Sequence, residues 1–193
     1  MSVVLIAGSP DTPSRTAALV AHIESTLQKQ GIEAEVFNIN DFDANELLFA
    51  DITAPRVAHY RKAVAQAQAV VLATPVYQAS FSGAIKLLLD LVPERGLKGK
   101  VVLPLANGGT DSHLLILDYA LKPVISALGA SNVLSSVYVN SRHVTLDAEK
   151  HYSISEEARG RIDRAVDELK ELIDADRELA SASAFSPGYP AFA

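Results

Sequence analysis

Hydroxyl and turn residues crowd the stretch GSPDTPSRT, which directly follows the first apolar run of the chain. Ser9, Thr12, Ser14 and Thr16 supply hydroxyl groups there, and Arg15 adds a positive charge. A helix that begins in this stretch also presents free backbone N–H groups and the positive end of its dipole. Together these groups suit a phosphate monoester. An ordinary helix N-cap by Thr12 or Ser14 explains the same residues about equally well.

The stretch matches neither of two common nucleotide-phosphate motifs. It lacks the GxGxxG fingerprint of dinucleotide-binding folds, and no GK[ST] follows its glycine as in a Walker loop. A phosphate site here is therefore of another kind.

Two later stretches combine turn residues with aromatic residues or glycines. In TPVYQASFSG, Pro75 follows an apolar run, and Tyr77 and Phe81 offer flat apolar surface for a planar ring. In NGGTDSH, Gly108 and Gly109 let the backbone approach a ligand closely. Simpler explanations are a core Phe81 with a surface Tyr77 in the first stretch, and a flexible loop in the second.

Apolar runs of strand length alternate with helical segments along the chain. Strands are predicted at 3–7, 34–39, 69–75, 101–106 and 133–139, and helices at 15–29, 56–68, 82–91, 113–128 and 154–176. This alternation predicts an α/β fold with helices on both faces of a parallel sheet. Five strands fit a flavodoxin-like three-layer sandwich with strand order 2-1-3-4-5. One domain is expected over 1–178. An irregular tail is expected over 179–193, unless its aromatic residues form an arm on a neighbouring subunit.

The three stretches fall at the places where this topology positions ligands. In an open parallel sheet, ligands bind at the carboxyl ends of strands near the point where strand order reverses. For the order 2-1-3-4-5 these are the ends of the first, third and fourth strands. A phosphate cradle, an aromatic wall and a glycine-rich loop in one crevice describe a site for flavin mononucleotide (FMN).

Composition excludes several other classes of function. A formal net charge of -6 argues against nucleic-acid binding, which normally requires a basic face. The chain has no cysteine, so disulfides, thiolate metal sites and a cysteine nucleophile are excluded. The five histidines show no metal-binding spacing, and no metal site is expected. No apolar stretch approaches membrane-spanning length, so a cytoplasmic protein without membrane contact is expected.

Three segments carry a resemblance to a known family: AGSPDTPSRTAAL, TPVYQASFSGAIKLLLDLVPERGLKGKVVLPLANGGT and HLLILDYALKPVISALG. They resemble the NADPH-dependent FMN reductases of the flavodoxin-like superfamily, over roughly residues 1–140. Within that family the chain is most similar to the reductase components of two-component alkanesulfonate and methanesulfonate monooxygenases. The resemblance implies that NADPH, or NADH, transfers a hydride to N5 of FMN. Reduced FMN would then supply a partner monooxygenase that desulfonates sulfonates for sulfur acquisition.

The resemblance also implies which residues hold the flavin. The phosphate would be bound by Ser9, Ser14, Arg15 and Thr16, the ring lined by Pro75, Val76, Tyr77 and Gln78, and the other ring edge approached by Gly108, Gly109 and Thr110. No side-chain acid or base is expected, because stacking and orientation of nicotinamide over flavin would carry catalysis.

Asp11 departs from the family pattern, since relatives often carry arginine at this position. Its negative charge would repel a nearby phosphate. Asp11 is therefore expected either to point away, toward Arg15, or to weaken FMN binding.

Pro123 lies inside the predicted helix at 113–128, where its ring conflicts with the carbonyl of Tyr119. Helices relieve such a conflict by a kink or by a π-bulge. In the sulfonate-linked reductases a one-residue insertion produces a π-helix here, and Tyr119 matches the inserted aromatic residue. The resemblance thus implies that Tyr119 affects flavin retention and lies at a homodimer or homotetramer interface. The alternative is a plain kink with a packed Tyr119.

Two other functions remain open from the sequence. A flavodoxin-type electron carrier would hold FMN permanently and react with redox proteins. A reductase with fixed FMN would act on quinones, azo dyes or oxyanions.

Overall fold

The computed structural model describes residues 2–148 and 151–184, with side chains described up to residue 179. Its main sheet has seven strands: β1 (Ser2–Ala7), β2 (Glu33–Asn38), β3 (Ala69–Tyr77), β4 (Ser80–Phe81), β5 (Val101–Gly108), β6 (Asn132–Val133) and β7 (Val137–Asn140). The order β2-β1-β3-β5 continues into β6 and β7, which both pair in parallel with β5. This arrangement confirms the predicted flavodoxin-like order of the core strands.

Six α-helices cover the two faces of the sheet: α1 (Arg15–Lys29), α2 (Ala44–Leu48), α3 (Pro55–Gln66), α4 (Gly83–Asp90), α5 (Lys122–Ala127) and α6 (Glu156–Ala184), in the described part of the chain. Successive β1 residues point to opposite faces. Val4 and Ile6 pack in the core beneath α3, α4 and α5, whereas Leu5 packs in the core beneath α1 and α6. Burial on both faces explains why this strand is apolar at every position.

Helix α1 begins and ends where the sequence predicts. Ser14 is its N-cap, and its side chain accepts a hydrogen bond from the backbone N–H of Ala17 at 3.1 Å. Leu19, Ile23 and Leu27 form its buried face. The cap fixes the first turn of α1 at the carboxyl end of β1, which is the predicted position of the ligand.

The single strand predicted at 133–139 is wrong. Two short strands, β6 and β7, occupy the range, and residues 134–136 separate them. Ser135 and Ser136 interrupt the apolar run at this break. Polar residues are tolerated here because β6 and β7 lie at the edge of the sheet.

The helix predicted at 113–128 is confirmed over most of its length, and it contains the π-helix expected at Tyr119. A 3₁₀ turn covers Asp111–His113, a π-helix covers Leu117–Leu121, and only Lys122–Ala127 is α-helical. Pro123 is therefore the second residue of α5, which continues directly from the π-helix. The π-helix relieves the conflict that the sequence places at Tyr119.

The C-terminal part differs from the prediction in two ways. An antiparallel hairpin of β8 (Val144–Leu146) and β9 (Tyr152–Ile154) was not expected from the sequence. Helix α6, expected to end at residue 176, continues to Ala184, so the expected tail at 179–193 begins inside this helix. Residues 185–193 lie outside the described residues. None of the helices in the described ranges is both long and apolar enough to span a bilayer.

Candidate functional site

A cavity of about 280 Å³ opens at the carboxyl ends of β1, β3 and β5. Its wall is formed by four segments, which are the loop into α1, the end of β3, the end of β5 and the hairpin β8–β9. The lining residues are Ser9, Asp11, Pro13, Ser14, Arg15, Thr16, Pro75, Val76, Tyr77, Asn107, Gly108, Gly109 and Tyr152. The three stretches singled out in the sequence thus meet in one place.

The N-terminus of α1 forms the polar end of the cavity. The first backbone N–H groups of the helix, those of Arg15 and Thr16, have no partner within the helix. Ser14 accepts a hydrogen bond as the cap, and its own hydroxyl proton stays available for an anion. These donors and the helix dipole fit a phosphate group.

Arg15 is oriented by a contact with the hairpin. Its Nε donates a hydrogen bond to the backbone oxygen of Val144 on β8 at 3.1 Å. The other guanidinium N–H groups remain free to bind an anion. This hydrogen bond also connects the polar end of the cavity to the hairpin β8–β9, which carries Tyr152.

Thr16 is held in a different way from its neighbours. Its side chain is buried, and its hydroxyl donates to Oδ1 of Asn107 at 2.7 Å. The Thr16 hydroxyl proton is therefore not available to a phosphate, and the residue offers its backbone N–H instead. Asn107 keeps its Nδ2 group, a hydrogen-bond donor, on the cavity wall.

Asp11 faces the cavity rather than Arg15. No ion pair joins the two side chains among the described residues. Burial raises the pKa of the Tyr77 phenol, and the nearby negative charge of Asp11 raises it further. Asp11 is therefore not turned away toward Arg15, and its carboxylate would oppose an anion bound in the cavity.

The end of β3 supplies the flat wall. Pro75 pairs with Asn107 on β5, and Val76 and Tyr77 pair with β4 through a tight antiparallel turn. The two turn residues, Gln78 and Ala79, both have positive φ, at 46° and 58°. This backbone is the one favoured in two-residue hairpins, and it fixes the direction of the wall.

The glycine loop after β5 is anchored by β7. The hydroxyl of Tyr138 donates to the backbone oxygen of Thr110, and the side chain of Asp111 accepts hydrogen bonds from Asn140 and Arg142. A Cβ atom on Gly108 would clash with the Tyr138 hydroxyl, so a larger residue there would displace the Tyr138 side chain. The loop thus has a defined position at the cavity edge.

Most of the predicted flavin residues line the cavity. Two of them, Gln78 and Thr110, are not part of its wall. Gln78 lies in the β3–β4 turn, and the carbonyl of Thr110 accepts a hydrogen bond from Tyr138. Asn107 was missed although it directly precedes the glycines in the quoted stretch NGGTDSH. Tyr152 was missed because no sequence signal connects β9 to the ends of β1, β3 and β5.

Tyr119 lies on the π-helix outside this cavity. Its side chain is 79% exposed, and Leu114 and Leu115 nearby are also exposed. Within the described residues, no group of three or more His, Cys, Asp or Glu side chains is positioned to hold a metal ion.

Comparison with known proteins gives a consistent match. The family model for NADPH-dependent FMN reductase matches residues 1–144. An FMN reductase (NADPH) of Pseudomonas putida KT2440 is 48% identical over 144 residues, which cover 75% of this chain and 73% of that protein. An FMN reductase (NADPH) of Escherichia coli K12 is 42% identical over 167 residues, which cover 86% of this chain and 87% of that protein. The apo crystal structure of an NADH:FMN oxidoreductase (EMOB) superposes with a TM-score of 0.78 at 30% identity, covering 87% of each chain.

Proposed function

Because the chain belongs to the NADPH-dependent FMN reductase family, we propose that it reduces FMN as an exchangeable substrate in the cavity between β1, β3 and β5. The protein is an oxidoreductase that uses NADPH and FMN. The proposal concerns where FMN binds, which residues hold it, and where the reduced flavin goes.

One observation carries the assignment of the site. The cavity combines phosphate-binding groups at the start of α1 with a flat wall at the end of β3 and a glycine loop at the end of β5. The donors of Ser14 and Arg15 suit the phosphate of FMN, and Pro75 and Val76 suit the face or edge of its ring.

Each part of the cavity has a role in this proposal. When bound, FMN supplies the ring atom N5 that accepts hydride from NADPH. Arg15 and the first N–H groups of α1 bind the phosphate, and Val144 holds the Arg15 guanidinium in place. The Nδ2 group of Asn107 donates toward the ligand, while Thr16 fixes the Asn107 amide from behind. Orientation of the two rings then supplies the catalysis, and no side-chain acid or base takes part.

Weak retention of FMN is supported by charge and by size. Asp11 faces the same cavity as the phosphate-binding groups, and its carboxylate opposes a phosphate dianion. The cavity volume of about 280 Å³ lies just below the usual range for ligand sites, which is about 300–1,000 Å³. Both features favour a flavin that exchanges with solvent over one that is permanently enclosed.

The destination of reduced FMN follows from the resemblance to reductase components of sulfonate monooxygenases. We infer that a monooxygenase of a two-component system accepts reduced FMN, and that sulfonates are the final substrates. The exposed side chains of Leu114, Leu115 and Tyr119 support a homodimer or homotetramer contact at the π-helix.

NADPH oxidation by flavin-stripped protein, titrated with free FMN, tests the proposal. Turnover should rise and saturate at FMN concentrations well above the enzyme concentration. Activity that is complete at one FMN per chain, and that needs an added quinone, azo dye or redox protein, would instead identify FMN as a fixed group.

A further inference from the structure

A second cavity, of about 360 Å³, lies between β7 and α6 at the edge of the sheet. It shares no lining residue with the proposed FMN site between β1, β3 and β5, which we call the flavin cavity. Ser135, Ser136 and Tyr138 form one wall, and Arg161, Arg164 and Glu168 on α6 form the other. Arg161, Arg164 and Glu168 are spaced as i, i+3 and i+7, so they lie on one face of α6. This face of the helix lines the cavity opposite β7.

Two buried polar atoms in this cavity wall have no hydrogen-bond partner among the described residues. They are Oγ of Ser136 and Nε of Arg161. Buried polar groups without a partner are uncommon in folded proteins, because leaving one unpaired costs about 1–3 kcal/mol. Both atoms can donate a hydrogen bond, so both lack an acceptor.

The two arginines differ in what they already bind. Arg161 donates through Nη1 to the backbone oxygen of Tyr138 at 3.1 Å, and its Nη2 lies 3.9 Å from Glu157. Arg164 forms no ion pair or hydrogen bond through its side chain with any described residue. Arg161 is therefore fixed by the strand, while the whole guanidinium of Arg164 is available to a ligand.

Two arginines line the cavity although the chain as a whole carries -6. Glu168 is the acidic residue among the described lining residues, and Glu157 lies 3.9 Å from Arg161 outside the lining. Guanidinium groups bind phosphate-type oxyanions through paired N–H donors, and a serine hydroxyl completes such a site.

We propose that this cavity binds a tetrahedral oxyanion of the phosphate or sulfate type, held by Arg161, Arg164 and Ser136. A free phosphate or sulfate ion presents this chemistry, and so does the 2′-phosphate of NADPH. The backbone of Tyr138 forms part of the site, and its hydroxyl holds the loop at Thr110 beside the flavin cavity. Tyr138 therefore contacts both the oxyanion cavity and the loop that borders the flavin cavity.

Calorimetric titration with inorganic phosphate and with sulfate tests the proposal, with excess FMN present to fill the flavin cavity. Wild-type protein should bind one oxyanion per chain, and Arg164→Gln should raise the dissociation constant about tenfold or more. Ser136→Ala should raise it by a smaller factor. Glu168→Gln should lower it several-fold, because the opposing charge is removed.

Arg159→Gln is the matched control, because Arg159 is an exposed arginine on α6 that does not line the cavity. It makes the same change in net charge and should leave the dissociation constant within about twofold of wild type. No binding by wild-type protein would overturn the proposal. Equal weakening in Arg159→Gln and Arg164→Gln would also overturn it, since that result reports net charge alone. Equal melting temperatures of the two variants show that both remain folded.

Steady-state kinetics with NADPH and NADH distinguish the two sources of the oxyanion. If the 2′-phosphate occupies the cavity, Arg164→Gln raises KM for NADPH about tenfold and leaves KM for NADH unchanged, and phosphate competes with NADPH. If a free oxyanion occupies it, both KM values stay unchanged while the phosphate dissociation constant still rises. Both results support the site and identify what fills it.

Discussion

Opposite charges meet at the phosphate end of the flavin cavity. Arg15 and the start of α1 attract an anion, whereas Asp11 on the preceding loop repels it. Asp11 has no ion pair with Arg15 in the described part of the chain, so its charge is not neutralised there. In the proposed site, the balance between these groups would set how long FMN stays bound.

Asp11→Asn should therefore tighten FMN binding. We expect the FMN dissociation constant to fall roughly three- to tenfold at low ionic strength, and the difference to shrink at high salt. Flavin fluorescence titration measures both values. Asp176→Asn, at an exposed position on α6, makes the same charge change away from the cavity and should have little effect. Unchanged or weaker binding in Asp11→Asn would show that this carboxylate does not face the phosphate.

Thr16→Val removes the buried hydrogen bond to Asn107. The free energy of unfolding should fall by about 1–3 kcal/mol, because Oδ1 of Asn107 loses its partner. FMN should also bind more weakly, since the Asn107 amide is no longer held. Thr16→Ser keeps the hydroxyl and should stay close to wild type in urea unfolding and in FMN binding. Similar losses in both variants would mean that the methyl group, not the hydrogen bond, matters.

At the scale of elements, a buried hydrogen bond joins the neighbouring helices α3 and α4. Tyr60 on α3 is buried, and its hydroxyl donates to the backbone oxygen of Leu88 on α4 at 3.0 Å. Burial raises the pKa of Tyr60 well above its usual value of 10. Below pH 10 the tyrosine is protonated in both states. Above pH 10 the unfolded chain releases this proton and the folded chain retains it, so stability falls as pH rises.

Tyr60→Phe should remove this source of alkaline instability. At pH 7 the variant should be less stable by about 1 kcal/mol, because the hydrogen bond to Leu88 is lost. The difference between wild type and variant should shrink as pH rises above 10. Urea unfolding at pH 7, 9 and 10.5 measures the trend. A difference that is constant or grows with pH would contradict the role of the buried phenol.

The elements also show what sequence can and cannot predict. Strands β1, β3 and β5 are apolar because both faces of the sheet are covered, so the apolar runs of the sequence predict them. Helix α1 has an N-cap serine and apolar residues at helical spacing, so the sequence predicts its position as well. The ligand cavity followed from topology and from local turn residues. Tyr152 could not be predicted, because the packing of the hairpin β8–β9 against α1, which brings it to the cavity, joins segments distant in sequence. The break between β6 and β7 coincides with Ser135 and Ser136, a local signal that the single predicted strand at 133–139 did not take into account.

At the scale of the whole molecule, one group of exposed apolar side chains lies at the π-helix. Leu114, Leu115 and Tyr119 are exposed at or beside the π-helix, which packs against β4. Exposed apolar groups of this kind mark interfaces. A contact between copies of the chain at this surface would add Tyr119 to a subunit interface, as the proposed oligomer requires.

The double variant Leu115→Ser with Tyr119→Ser should weaken self-association. We expect the dissociation constant of the oligomer, measured by sedimentation equilibrium, to rise about tenfold or more, because the buried apolar area is lost. Leu179→Ser is the control, since Leu179 is 70% exposed on α6. An oligomer that is unaffected by the double variant would place the interface elsewhere.

The central claim is that the start of α1 binds the phosphate of FMN. The most direct test compares the dissociation constants of FMN and riboflavin, which differ only by that phosphate, for wild type and Arg15→Gln. The account predicts that wild type prefers FMN by tenfold or more, and that Arg15→Gln loses most of this preference while binding riboflavin as before. Equal loss of affinity for both flavins, or a wild type that does not distinguish them, would contradict it.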